Sequence, residues 1–279
     1  LKTAGKEYKL SEDGEKVMSF WSHLDELRGH LIRSFIMVGL MAVIAFLSKN
    51  IIFDYVILAP KEPDFITNRL FYQLAEALSM PALKINVDPV KIINIEMAGQ
   101  FTIHILISLV TGIIISIPYL LWELWRFIMP ALNPKERANS KGAVFVTSLL
   151  FLTGVLFGFF LIVPLAVNFL GSYQVSGLVE NQIALRSYIT TVTTLALGVG
   201  LLFELPIMVY FLSKIGILTP VVMRKNRKVA VIIIIALSAI ITPPDVISQI
   251  LVGLPIIVLY ELSIIISNRV YQKRLRLEN

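Results

Sequence analysis

The residues of this chain that could do chemistry are few, and they are carboxylates set against apolar sequence. Residues 188–212 form a run of twenty-five positions in which Glu204 is the sole charge, with Pro206 close behind it. At ~1.5 Å per helical residue such a run crosses a ~30 Å hydrocarbon core with some tilt, which places the acid inside the span. A carboxylate there is costly, and such groups mark a pathway or a docking site more often than bare packing. Gly200, Ala196 and Thr193 share its helical face, so the surface beside Glu204 is small and mildly polar, and Glu204 with Gly200 reads as a site for a partner helix. The alternative is a protonated carboxyl bonded to a neighbouring helix of the same chain. Pro206 removes the donor for the Leu202 carbonyl and predicts a bend just past the acid. Asp25, Glu26 and Glu136 are a second group, each an ordinary solvated charge by itself, but all beside cations on one side of the membrane.

Other chemistries are missing. There are no cysteines, which excludes disulfides and thiolate chemistry. His23, His30 and His104 lack the H-E-x-x-H spacing, and there is neither a G-x-x-x-x-G-K-[ST] loop nor a G-x-S-x-G elbow. One isolated intramembrane acid does not make a catalytic pair. No metal, cofactor or enzymatic activity is therefore expected. His104, inside an apolar span, is open between packing and function and takes no role.

The elements that must position these acids are membrane helices. Apolar residues make up 56% of the 279 and charged residues 16%, with a mean hydropathy of +0.78, well beyond the usual soluble range. One membrane domain over residues 20–274 is expected, between polar tails at 1–19 and 275–279. The N-terminal tail lacks the apolar run of a signal peptide. Ser19 or Ser22 caps an interfacial lead-in, and the first span follows over 31–47 with Arg33 snorkelling at its start. Residues 50–95 form the longest connection, with Leu70, Phe71, Leu74 and Leu78 at helical spacing over 69–79, a helix on the membrane surface or capping the bundle. The second span opens at Ile92 or Phe101 and ends at the Trp122 and Trp125 belt, before a polar loop over 122–141. The third covers 142–167, where Gly154 and Gly158 permit close helix approach. The fifth run, 229–241, has thirteen residues and is short for a span. Thr242, Pro243, Pro244 and Asp245 then force a turn, expected below the outer membrane surface. A sixth segment over 246–266, interrupted by Pro255, leads to a basic tail.

These six spans, the last two short, give an all-α bundle. With the N-terminus inside, 19 of the 25 basic residues fall on the inner face, so the positive-inside rule places both termini in the cytoplasm. The net charge of +6 reflects that asymmetry and not nucleic-acid binding.

Four stretches resemble one family. His23, Leu24, Asp25, Glu26, Leu27 and Arg28 precede span one, and Trp125, Arg126, Phe127, Ile128, Met129, Pro130, Ala131 and Leu132 follow span two. Phe203, Glu204, Leu205 and Pro206 lie in span four, and Thr242 to Gln249 in sequence read TPPDVISQ. In this order, from about Phe20 to Arg274, they look like TatC, the polytopic receptor subunit of the twin-arginine protein translocase. The resemblance implies transport of folded proteins driven by the protonmotive force, in an oligomeric complex with single-span TatA and TatB partners in the cell inner membrane. It implies that Glu26 and Glu136 receive the paired arginines of signal peptides, with Phe127 and Arg28 on the same surface. Carboxylates suit this role because a guanidinium binds them bidentately, which lysine cannot. The resemblance also makes Glu204 the intramembrane glutamate that meets a polar group on a partner helix, and matches Pro60, Pro244 and Asp245 to other family positions. The connection over 50–95 and the tail before Phe20 are longer than the family pattern. The competing reading is a proton-coupled small-solute transporter with Glu204 as relay. That reading predicts inverted repeats, and none is visible.

Overall fold

The computed structural model describes residues 8–10, 16–18, 20–87, 90–128, 140–176, 178, 181–241 and 246–278. The expected polar tail carries a small antiparallel pair, β1 (Tyr8–Leu10) and β2 (Lys16–Met18). The lead-in and first span are one helix, α1 (Phe20–Leu47), because nothing between Leu27 and Leu31 breaks a helix: Gly29 is the weakest former there and a single glycine is tolerated. α1 packs along α3 (Gly99–Ile128). A backbone approach at Gly112 makes this possible, where an added Cβ would sit 2.6 Å from the Ala42 nitrogen. α3 runs on through Trp122 to Ile128, so the polar loop expected from Trp122 starts later than its charges imply. Arg126 does not end the helix, since a cation in the last turn suits its dipole.

Between α1 and α3 lie a π-helical segment (Ile51–Ile57), the amphipathic α2 (Ile66–Ala77) and β3 (Ile92–Ile93), so Ile92 lies in a strand. α2 buries Thr67, Asn68 and Ala75 and leaves Leu70, Leu74 and Leu78 exposed, its polar residues facing the bundle and its leucines facing outward.

The third span is longer than expected. It is α4 (Ser140–Phe157), a π turn (Gly158–Ile162) and α5 (Val163–Ser172). Pro164 explains the anchor of α2: it has no N–H for the Phe160 carbonyl, and the Thr67 hydroxyl donates to that oxygen instead. Nearby, Asn86 Nδ2 donates to the Pro164 carbonyl at 2.9 Å and to Asn68 Oδ1 at 3.2 Å, which locks the outer connection onto the bundle.

β4 (Ile183–Ala184) pairs parallel to β3 and leads into α6 (Leu185–Leu202). The fourth span breaks at Phe203 and Glu204 before α7 (Leu205–Lys214). α8 (Pro220–Lys225) precedes α9 (Arg227–Ile241), 15 residues long, or roughly 23 Å of helix. α10 (Val246–Glu278) continues through Pro255, and the stretch expected to be a basic tail is helical to Glu278. Among the described residues, five helices are long and apolar enough to cross a membrane: Leu24–Leu47, Gly99–Ile128, Val144–Ser172, Leu185–Lys214 and Gln249–Lys273. The core lies where α5 and α6 meet α10, around Ile162, Val163, Ile189, Val192, Val199, Val252 and Ile256.

Candidate functional site

The N-terminal end of α1 meets the C-terminal end of α3, and a cluster of polar side chains forms there. Glu26, half-buried, and His30, buried, are four residues apart and share a face of α1, while Arg28 is exposed. From α3, Phe127 meets the His30 ring edge-on, with ring centroids 6.0 Å apart. Glu123, one turn before Phe127, is only 1% exposed. Arg33 grips it bidentately, Nε to Oε1 at 3.1 Å and Nη2 to Oε2 at 3.0 Å. Tyr119 donates to Oε1 at 2.9 Å, and His30 Nδ1 contacts Oε2. Arg126 Nη1 approaches to 3.8 Å while its guanidinium covers the Trp122 ring at 4.8 Å. Arg33 therefore does not simply snorkel to water.

Sequence reasoning missed Glu123. It sits in the apolar string Leu120, Leu121, Trp122, Glu123, Leu124 and Trp125. That setting marks it as strongly as Glu204 is marked, and Tyr119 and Arg126 at helical spacing were the further signal. Reading residue 122 as the helix end hid it. Glu204 is thus not the sole buried acid of the bundle. Of the other expected site residues at this end, Glu136 lies outside the described residues, as do Pro244 and Asp245 of the later turn.

Glu204 occupies the break between α6 and α7. Both of its carboxylate oxygens are buried and have no hydrogen-bond partner among the described residues. The small face beside it is already taken. A Cβ on Gly200 would lie 2.7 Å from Val155 Cγ2 and 3.1 Å from the Phe151 ring, and one on Gly154 would lie 2.9 Å from the Gly200 Cα. The third span fills this face, so Gly200 is not open to a separate partner helix as expected. Packing within the chain is the tighter use of such a surface. Pro60 is buried in the outer cap, where its carbonyl accepts from Asn68 Nδ2 at 3.1 Å. His104 stacks on Phe46 at 3.9 Å, and its Nε2 lies 3.0 Å from the Phe46 carbonyl oxygen, which ties α3 to α1 near their outer ends.

A bundle of this kind, built of long apolar helices with a polar cluster at one helix end and an acid at one broken helix, defines a multi-pass helical membrane protein. The family model of TatC, described as Sec-independent protein translocase protein, matches residues 22–255. A TatC of Blattabacterium sp. subsp. Periplaneta americana is 38% identical over 259 residues, 92% of this chain and 97% of the relative. TatCy of Bacillus subtilis is 31% identical, covering 92% of this chain and 91% of its own length. A crystal structure of the twin-arginine translocase receptor TatC superposes with a TM-score of 0.62 at 33% identity, over 88% of this chain and 97% of that one. The chain belongs to the TatC family of Sec-independent protein translocase proteins.

Proposed function

We propose that this chain is the receptor subunit of a twin-arginine translocase, a transport component without catalytic chemistry of its own. In this reading it has six spans with both termini in the cytoplasm of the inner membrane, α9 serving as a short fifth. The observation that carries the reading is the meeting of α1 and α3, whose ends bring Glu26 and Phe127 together through His30. A signal peptide's arginine pair binds Glu26 and Glu136, with Phe127 and Arg28 on the same surface. The Glu123 cluster acts behind them by holding the two helix ends in register. Glu204, with two buried oxygens lacking a partner among the described residues, takes a hydrogen bond from a polar side chain of a TatA- or TatB-type helix. The membrane domain, residues 20–274, carries all of these contacts.

Charge-assisted hydrogen bonds contribute about 1.5–3 kcal/mol, so Glu26→Ala and Glu136→Ala should each weaken twin-arginine peptide binding tenfold or more. Peptide titration of the purified full chain at equal membrane insertion measures this, and Glu26→Asp should fall between. Binding should also weaken at higher salt, since the site faces water. If both Ala variants insert and bind as the parent does, still rejecting twin lysine, the receptor site lies elsewhere.

A further inference from the structure

An apolar groove of about 560 Å³ runs between α1 and α3, directly below the Glu123 cluster. Leu31, Phe35 and Val38 line it from one helix, and Leu109, Ile113 and Leu124 from the other; His30 and Glu123 close its polar end. At ~1.5 Å per residue the α1 wall, Leu27 to Val38, is roughly 16 Å long and the α3 wall, Leu109 to Phe127, roughly 27 Å, so the groove runs through more than half of a ~30 Å hydrocarbon core. It starts at the level of Trp122 and Trp125, residue types that mark the membrane interface, and reaches past the midplane. An extended hydrocarbon chain can lie along these apolar walls.

Its mouth carries two guanidiniums. Arg33 and Arg126 have side chains 45% exposed and share the almost fully buried carboxylate of Glu123, with the Glu26 carboxylate also within the electrostatic reach of Arg33. Arg33 spends Nε and Nη2 on Glu123, while Nη1 points back toward the N-terminal end of the helix, 3.5 Å from where a Cβ on Gly29 would stand. A guanidinium half out of the protein at headgroup level, above an apolar groove that runs into the membrane, matches the two ends of one ligand class. We propose that this groove holds an acyl chain of an anionic phospholipid, with its phosphate on Arg33 and Arg126. The lipid belongs to the leaflet at the N-terminal end of α1, the cytoplasmic one in the topology proposed above. Bound there, it would brace the ends of α1 and α3 and set the charge beside Glu26.

Native mass spectrometry on the full chain tests this after reconstitution in nanodiscs of equal phosphatidylglycerol and phosphatidylcholine. The parent should retain phosphatidylglycerol over phosphatidylcholine by about fivefold, the preference one basic side chain confers near a membrane surface. Arg126→Gln, which leaves the Arg33 to Glu123 pair intact, should reduce that preference, and Arg33→Gln with Arg126→Gln should abolish it. Ser34→Trp, which fills the groove without touching the charges, should lose the retained lipid. Equal retention of both lipids by the parent would mean annular lipid only, and a Ser34→Trp chain that keeps phosphatidylglycerol would place it elsewhere; either result overturns the proposal. So would displacement of the lipid by a signal peptide whose apolar segment cross-links to Val38, which assigns the groove to the peptide. Twin-arginine binding is read separately by peptide titration, so failure of the lipid site leaves the receptor reading untouched.

Discussion

Two buried acids sit in this bundle under opposite conditions. Glu123 is satisfied within the chain by Arg33, Tyr119 and His30, while both oxygens of Glu204 are buried without a partner among the described residues. A buried carboxylate with a full set of donors holds helices together, because removing it strands its partners. One without donors adds nothing to the fold, and the function proposed above gives it a donor from outside the chain. The surroundings repeat the contrast. The window of α1 that crosses the membrane is 11% buried and clings to α3, whereas that of Val144–Ser172, which packs beside Glu204's helix, is 56% buried. The exposed helix needs an ionic clasp; the buried one is held by packing.

The sharpest way to break the comparison is Glu123→Leu. It leaves Arg33, His30 and Tyr119 without their acceptor and should destabilise the chain by roughly 3 kcal/mol, the lower end for a broken buried pair because both arginines are half exposed. A lowered unfolding midpoint in detergent, with cysteine cross-linking between α1 and α3 weakened, is the expected outcome. A midpoint equal to the parent's would remove the clasp from the account. Gly200→Ala comes next, because its new methyl meets Val155 Cγ2 at 2.7 Å. The overpacking should cost about 1–3 kcal/mol, seen in the same melt. An unchanged melt would show that the face beside Glu204 is looser than the packing implies.

Arg33→Lys keeps the charge but gives up the forked pair of bonds, and should cost about 1 kcal/mol. Glu204→Leu should have the smallest effect on stability, near zero or slightly stabilising, since it removes a buried polar group with no partner among the described residues. The same variant should lose transport of a folded twin-arginine substrate, and Glu204→Gln should retain most of it because an amide still hydrogen-bonds. Destabilisation by Glu204→Leu as large as that of Glu123→Leu would erase the distinction between the two acids.

Sequence alone determined the membrane class, the order of the apolar helices, the amphipathic segment after the first of them and the position of Glu204 within a span. Each follows from local properties: twenty or so apolar residues in line, leucines at helical spacing, one charge in an uncharged run. The motifs around Glu26, Phe127 and Glu204 also sufficed to indicate the family. Helix ends were less legible, because a cluster of charges near residue 122 looks the same whether the helix stops or dips its last turns into the interface. Only the tertiary structure decided what the polar groups do. Arg33 and Glu123 are ninety residues apart in sequence, and no local pattern says that one will grip the other and not reach for water. Gly200 reads as an open docking face until the third span is seen to fill it. Thr67 acquires its partner because Pro164, far along the chain, cannot bond the Phe160 carbonyl. A side chain's type sets which partners it can accept, and long-range packing selects among them.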